Sequence, residues 1–95
     1  MLVLHVLPPL TEKQAECLKY VTRYFIERRY YPTQREVAAA MNLSSSTAES
    51  YLEPLERKGY LEREPRRRRN IRLTNAAVEK LELMGEDVRE KLLAA

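Results

Sequence analysis

The chain has 95 residues, 44% hydrophobic and 33% charged, enough for one domain with a single core and no metal or disulfide support. A single cysteine, Cys17, rules out an internal disulfide, and the single histidine, His5, has no companion ligands for a metal or a catalytic base. The net charge of +3 is uneven: 14 Lys/Arg face 9 Asp/Glu up to Leu73, but 3 face 5 beyond it, so a basic body carries an acidic tail. That polarity suits a polyanion on one side and a protein contact on the other.

The opening MLVLHVLPPL is too short an apolar run to cross a membrane, and it lacks the basic flank and small-residue cleavage site of a signal peptide. A cytoplasmic protein is expected. Residues 1–9 read as an N-terminal arm, extended over residues 2–7 and stopped by Pro8 and Pro9, that packs on its own domain or on a partner subunit. Thr11 and Gln14 then form a capping box that opens a first helix running to about Arg28. Leu18, Val21 and Phe25 make its apolar stripe, and Cys17 beside them is a small buried hydrophobe rather than a redox thiol. The Arg28–Pro32 segment breaks the helix, because the residue before a proline is pushed to extended geometry, and a short strand could lie there.

Thr33 and Glu36 form a second capping box. Val37, Ala40 and Met41 then share a helical face, and three consecutive alanines keep this second helix slim enough for close crossing. Asn42 is a left-handed terminator, with Leu43 tucked under the turn. A third helix follows, capped by a hydroxyl of the Ser44-Ser45-Ser46-Thr47 run. Ala48, Leu52 and Leu55 turn it inward, which leaves Ser46, Thr47, Glu49 and Ser50 outward. Small hydroxyls near a helix start let the backbone enter a DNA major groove, although they also serve as ordinary caps. Pro54 is expected to kink this helix and to restrict its reading segment to residues 46–53.

Gly59 ends the third helix, Tyr60-Leu61-Glu62-Arg63 alternates as a strand, and Ile71-Arg72-Leu73 is its antiparallel partner. The hairpin tip between them carries Arg66, Arg67, Arg68 and Arg69. Four adjacent arginines repel one another in a free loop, whereas phosphates turn the same crowding into affinity. Thr74 or Asn75 starts the last segment, residues 74–95, where Val78, Leu81, Val88 and Leu92 form a short seam with Gly85 in the missing apolar slot. Gly85 either permits close helix approach or ends one helix before another; the seam either joins two subunits, the favoured reading, or packs in cis.

Leu10-Thr11 with Gln14, Tyr31-Pro32-Thr33, Glu36-Val37-Ala38, Leu43-Ser44, Ala48-Glu49, Leu52, Leu55 and Arg57-Lys58-Gly59 together resemble the N-terminal winged helix-turn-helix domain of the LexA repressor family. The likeness covers about residues 10–73. It implies a mainly α winged helix-turn-helix fold, a three-helix core with a small β-hairpin wing, and the segment beyond it adds a C-terminal helix on which the likeness gives no guide. It also puts Ser44, Ser46, Thr47, Glu49 and Ser50 on the recognition-helix face. LexA proteins continue into a serine–lysine self-cleaving peptidase domain that has no counterpart in these residues, so self-cleavage is not carried over. The C-terminal segment is similar instead to the tails of MarR- and PadR-type regulators, which join two subunits.

The expectation is therefore a homodimeric, sequence-specific, double-stranded DNA-binding regulator, a repressor rather than an enzyme. Arg35 and Ser44 would hold phosphates and the four wing arginines would lie on the backbone or in the minor groove. No cofactor, metal or small-molecule ligand is implied. The rivals are a winged helix used for protein–protein contact and a non-specific nucleic-acid binder. Duplex RNA is less suited, because its deep, narrow major groove does not admit a helix.

Overall fold

Side-chain caps set where each of the first four helices begins. In the computed structural model, which describes residues 7–94, Thr11 and Thr33 each complete a full capping box, with Gln14 and Glu36 respectively. Ser44 and Thr74 each accept from the backbone N–H three residues on. The elements are α1 (Glu12–Arg28), α2 (Gln34–Ala40), α3 (Ser45–Arg57), β1 (Leu61–Arg63), β2 (Ile71–Leu73), α4 (Asn75–Leu83) and α5 (Arg89–Leu93).

Three of the helices also end alike. Asn42, Gly59 and Gly85 take positive φ of 57°, 86° and 87°. The following N–H then closes back on the last turn: Leu43 to the Ala38 carbonyl at 2.8 Å, Tyr60 to Leu55 and Glu86 to Leu81 at 2.9 Å each. This is the left-handed stop in which otherwise orphaned carbonyls find donors. The stop after α2 turns the chain directly into α3, which makes the helix-turn-helix.

α1 and α2 both pack on α3, the β1–β2 hairpin packs on α3, and α5 returns to α1. The shared interior holds Cys17, Leu18 and Val21 of α1, Val37 of α2, Leu52 and Leu55 of α3, and Tyr60, Leu61 and Ile71 around the hairpin. The hairpin is antiparallel, with Leu61 opposite Leu73, Glu62 opposite Arg72 and Arg63 opposite Ile71. The mainly helical, winged helix-turn-helix architecture expected from the sequence is present.

Several details differ from expectation. On α2 it is Ala38, not Ala40, that is buried beside Val37. Phe25 is only half-buried and stacks on Tyr31, with ring centroids 4.3 Å apart. α3 runs through Pro54 to Arg57 and ends before Gly59, where the sequence places its stop. Ser50, whose carbonyl loses its usual donor to the proline, lies on the exposed side, while Leu52 and Leu55 hold the helix to the core from the other. No strand forms around residues 29–32: Arg29 is left-handed at φ 63° and closes α1.

The largest difference is at the C-terminal end. Residues 74–94 do not form one helix, because Gly85 terminates α4 and α5 begins only after Val88. Leu81 and Val88, expected in an intersubunit seam, are 1% and 8% exposed within the domain itself, and Val78 and Leu92 pack against the same core. The C-terminal segment is also held in cis: Lys19 meets Glu86 at 3.4 Å, and Arg29 donates to the Leu92 carbonyl at 3.1 Å. At the other end, Leu7 packs against the core, Lys58 Nζ donates to the Pro9 carbonyl and Gln14 Oε1 at 2.8 and 2.7 Å, and the Tyr60 hydroxyl donates to the Pro8 carbonyl. The rest of the expected arm, His5 included, lies outside the described residues.

Leu81 therefore separates core from seam. Leu81→Ala is expected to cost about 2–5 kcal/mol of unfolding free energy, the usual range for a leucine truncated in a core. The loss should appear in denaturant melts at any protein concentration, whereas a seam residue would change association and leave a dilute domain's stability intact.

Candidate nucleic-acid interface

The start of α3 is a cluster of exposed hydroxyls. Ser44 Oγ accepts from the Thr47 N–H at 3.2 Å, and lies 2.8 Å from Thr47 Oγ1 and 3.3 Å from Ser46 Oγ. Ser50 Oγ donates back to the Thr47 carbonyl. These local bonds organise the hydroxyls without covering them: Ser44, Ser46, Thr47 and Ser50 all stay exposed. Each oxygen can therefore still donate to or accept from an outside group. Glu49 differs. It is half-buried, and both its oxygens accept from Arg63 Nη1 of β1, at 2.7 and 2.9 Å.

The α2 start is tied to the α3 start. Gln34 Nε2 donates to the Ser45 carbonyl at 2.9 Å and contacts Ser45 Oγ at 3.3 Å. This bridge was not foreseen from the sequence; only the position of Gln34 next to the Thr33 cap could have suggested it.

The wing reaches the same edge through Arg69. Its Nη1 donates to Glu36 Oε1 at 2.7 Å and to the Tyr31 carbonyl at 2.9 Å, and its guanidinium lies 4.7 Å from the Tyr30 ring centre. The four arginines are thus unequal. Arg69 is turned onto the domain, Arg67 meets Glu64 at 3.1 Å, and Arg66 and Arg68 are exposed without an ion pair to any described residue. Arg66 takes φ 70°, an unusual value for an arginine, at the turn itself. Arg68 and Arg69 line a cleft of about 380 Å³ with Thr33, Arg35 and Glu36. Arg35 is exposed and likewise without an ion pair to a described residue. Arg28 and Arg29 are occupied elsewhere, the first 4.2 Å over the Tyr24 ring, the second on α5.

Glu36 holds this edge together. Its carboxylate accepts from the Thr33 N–H at 2.8 Å, the Tyr24 hydroxyl at 2.8 Å and Arg69. The Thr33 N–H first, then Arg69 and the Tyr24 hydroxyl, hold its carboxyl well below the usual range, at about 2. Burial pushes the Cys17 thiol up to about 12, which leaves it neutral and inert. Among the described residues no three His, Cys, Asp or Glu cluster as metal ligands, and no helix is long and apolar enough to cross a membrane.

Against known proteins, the profile of the LexA DNA binding domain matches residues 7–70. A LexA repressor of Pelotomaculum thermopropionicum is 40% identical over 87 residues, 90% of this chain and 43% of its own length. One from Desulfitobacterium hafniense is 37% identical over 71 residues, 74% of this chain and 35% of that protein. One from Thermobifida fusca is 42% identical over 67 residues, covering 70% and 27%. The chain spans less than half the length of each of these relatives.

Because Glu36 ionises at a lower pH when folded, its network stabilises the domain fully above the ordinary carboxyl value of 4.5 and loses that contribution as pH falls through about 2. Denaturant unfolding across that acid window should show stability falling in the native chain. Glu36→Gln should be less stable near neutrality and show a shallower decline over the same window.

Proposed function

Since this chain belongs to the LexA DNA binding domain family, we propose that it is a sequence-specific, double-stranded DNA-binding transcriptional repressor that acts as a homodimer. The observation that carries the reading is the convergence of three elements on one edge. Gln34 joins the starts of α2 and α3, and Arg69 draws the wing against Glu36 beside them. A hydroxyl-lined helix start and a basic wing are thereby presented together.

In this reading α3 enters the major groove with Ser46, Thr47, Glu49 and Ser50 facing bases. Hydroxyls can meet donors or acceptors, and the Glu49 carboxylate can accept from a cytosine amino group. Ser44 and Arg35 contact phosphates, and Arg66, Arg67 and Arg68 follow the backbone or the neighbouring minor groove. Arg69 serves the wing as its anchor. Pairing of two copies would place half-sites about 10 base pairs apart. The buried Leu81 and Val88 are poorly placed for that pairing, which favours more exposed parts of α4 and α5, such as Leu83 and Leu93.

Selection of bound sequences from a random duplex pool at near-physiological salt is expected to enrich an inverted repeat. A single unrepeated motif would remove the homodimer, and no enrichment would remove sequence-specific recognition. Replacing Arg66, Arg67 and Arg68 with alanine should weaken binding to every sequence and reduce the salt slope by about 0.9 for each phosphate that is no longer neutralised. An unchanged slope would show that the wing stays off the DNA.

A further inference from the structure

Strand alternation assigns the inward face of the hairpin to Leu61, Arg63, Ile71 and Leu73, while Glu62 and Arg72 meet on the outward face at 3.6 Å. Three of these inward positions are apolar. The fourth holds an arginine whose side chain is only 16% exposed. Removing a guanidinium from water is costly unless an anion meets it. The anion comes from the recognition helix: Arg63 Nη1 donates to both oxygens of Glu49. Arg63 Nε and Nη2 are buried with no hydrogen-bond partner among the described residues, so the pairing rests on Glu49. Glu49 itself remains 40% exposed, and its oxygens have further lone pairs.

Building on the DNA-reading face described above, we propose that Arg63 is a positioning residue that sets sequence preference through Glu49. It holds the carboxylate in one orientation and cancels its charge, so α3 can offer an acceptor to a cytosine amino group without bringing an unpaired anion toward the phosphates. A free glutamate at the same place would sample several rotamers and repel the DNA backbone. Arg63 also belongs to the wing strand. The pair therefore couples the element that reads bases to the element that grips phosphates, and the angle between them is fixed before DNA arrives.

The test uses selection from a random duplex pool, direct binding and thermal unfolding for the full chain and for R63M, R63K, E49Q and E49Q/R63M. R63M is expected to bind all duplexes about tenfold more weakly, through the unpaired Glu49 carboxylate. It should also lose preference at the same base pair that E49Q loosens. E49Q/R63M should regain the missing affinity while that preference stays absent. A folded R63M with wild-type preference, or a double variant that binds no better than R63M, overturns the inference. If R63M does not fold, R63K gives the readout: it keeps the charge but not the guanidinium geometry, so preference at that base pair should broaden, and unchanged preference overturns the inference. A native chain that selects no sequence, or one that selects while E49Q changes nothing, removes the base-reading role of Glu49 and this inference with it. A selective native chain with a sensitive E49Q and an indifferent R63K removes this inference alone.

Discussion

The Glu36 carboxylate is the group on which the interface edge depends. It closes the capping box of α2, accepts the Tyr24 hydroxyl from α1, and receives Arg69 from the far end of the wing. Three elements distant in sequence thus share one anion. An isolated surface ion pair contributes little to stability. Here the carboxylate is also fixed by a backbone N–H and a phenol, so Arg69 meets an acceptor already held in place. A short hairpin of two three-residue strands has few bonds of its own. Packing Ile71 and Leu61 into the core fixes its base, and Arg69 fixes its return strand as it leaves the tip.

That anchoring changes the meaning of the arginine run. Four like charges look equivalent in sequence, but among the described residues the fold divides them into an anchor, Arg69, a residue matched by Glu64, Arg67, and two free cations, Arg66 and Arg68. The same division applies to the expected strand near residue 31. The Tyr31 carbonyl finds its donor in the Arg69 side chain at 2.9 Å rather than in a third strand. One arginine thus supplies a bond that a longer sheet would otherwise make, and the domain keeps a two-stranded wing.

The parts of the fold legible in the sequence were those governed by local chemistry. Thr11, Thr33 and Gly59 act on neighbours three to five residues away, and the helix starts and stops they encode are all present. The inward set Ala48, Leu52 and Leu55 follows helical period and is fully buried. What sequence order could not convey were choices made between distant residues. Nothing local says that Arg69 will find Glu36, that Arg63 will find Glu49, or that Gln34 will reach Ser45. The C-terminal seam is open in the sequence for a related reason. Apolar spacing shows that Leu81 and Val88 need a partner, but not whether it is a second subunit or α1 of the same chain. In the folded chain Gly85 is left-handed and α5 returns to α1, so Leu81 and Val88 are covered in cis, a role for Gly85 that period alone cannot distinguish from close helix packing.

The same pairing reshapes the electrostatic surface. The basic excess up to Leu73 suggests a diffuse positive body, yet many of those charges are met within the domain: Arg57 by Glu53, Arg63 by Glu49, Arg72 by Glu62 and Glu64, Arg69 by Glu36. The exposed pairs among them, such as Arg57 with Glu53, add little to folding, but every pair cancels the field where it occurs. Arg35, Arg66 and Arg68 are among the cations left without an acidic partner among the described residues, and they place positive charge at the α2 start and the wing tip, where Arg35 and Arg68 share one cleft. A uniform basic shell would hold any duplex in many orientations. In the proposed reading, charge at the α2 start and the wing tip beside a hydroxyl-bearing helix start would favour one orientation, the one that brings short side chains such as Ser46 and Thr47 toward the bases.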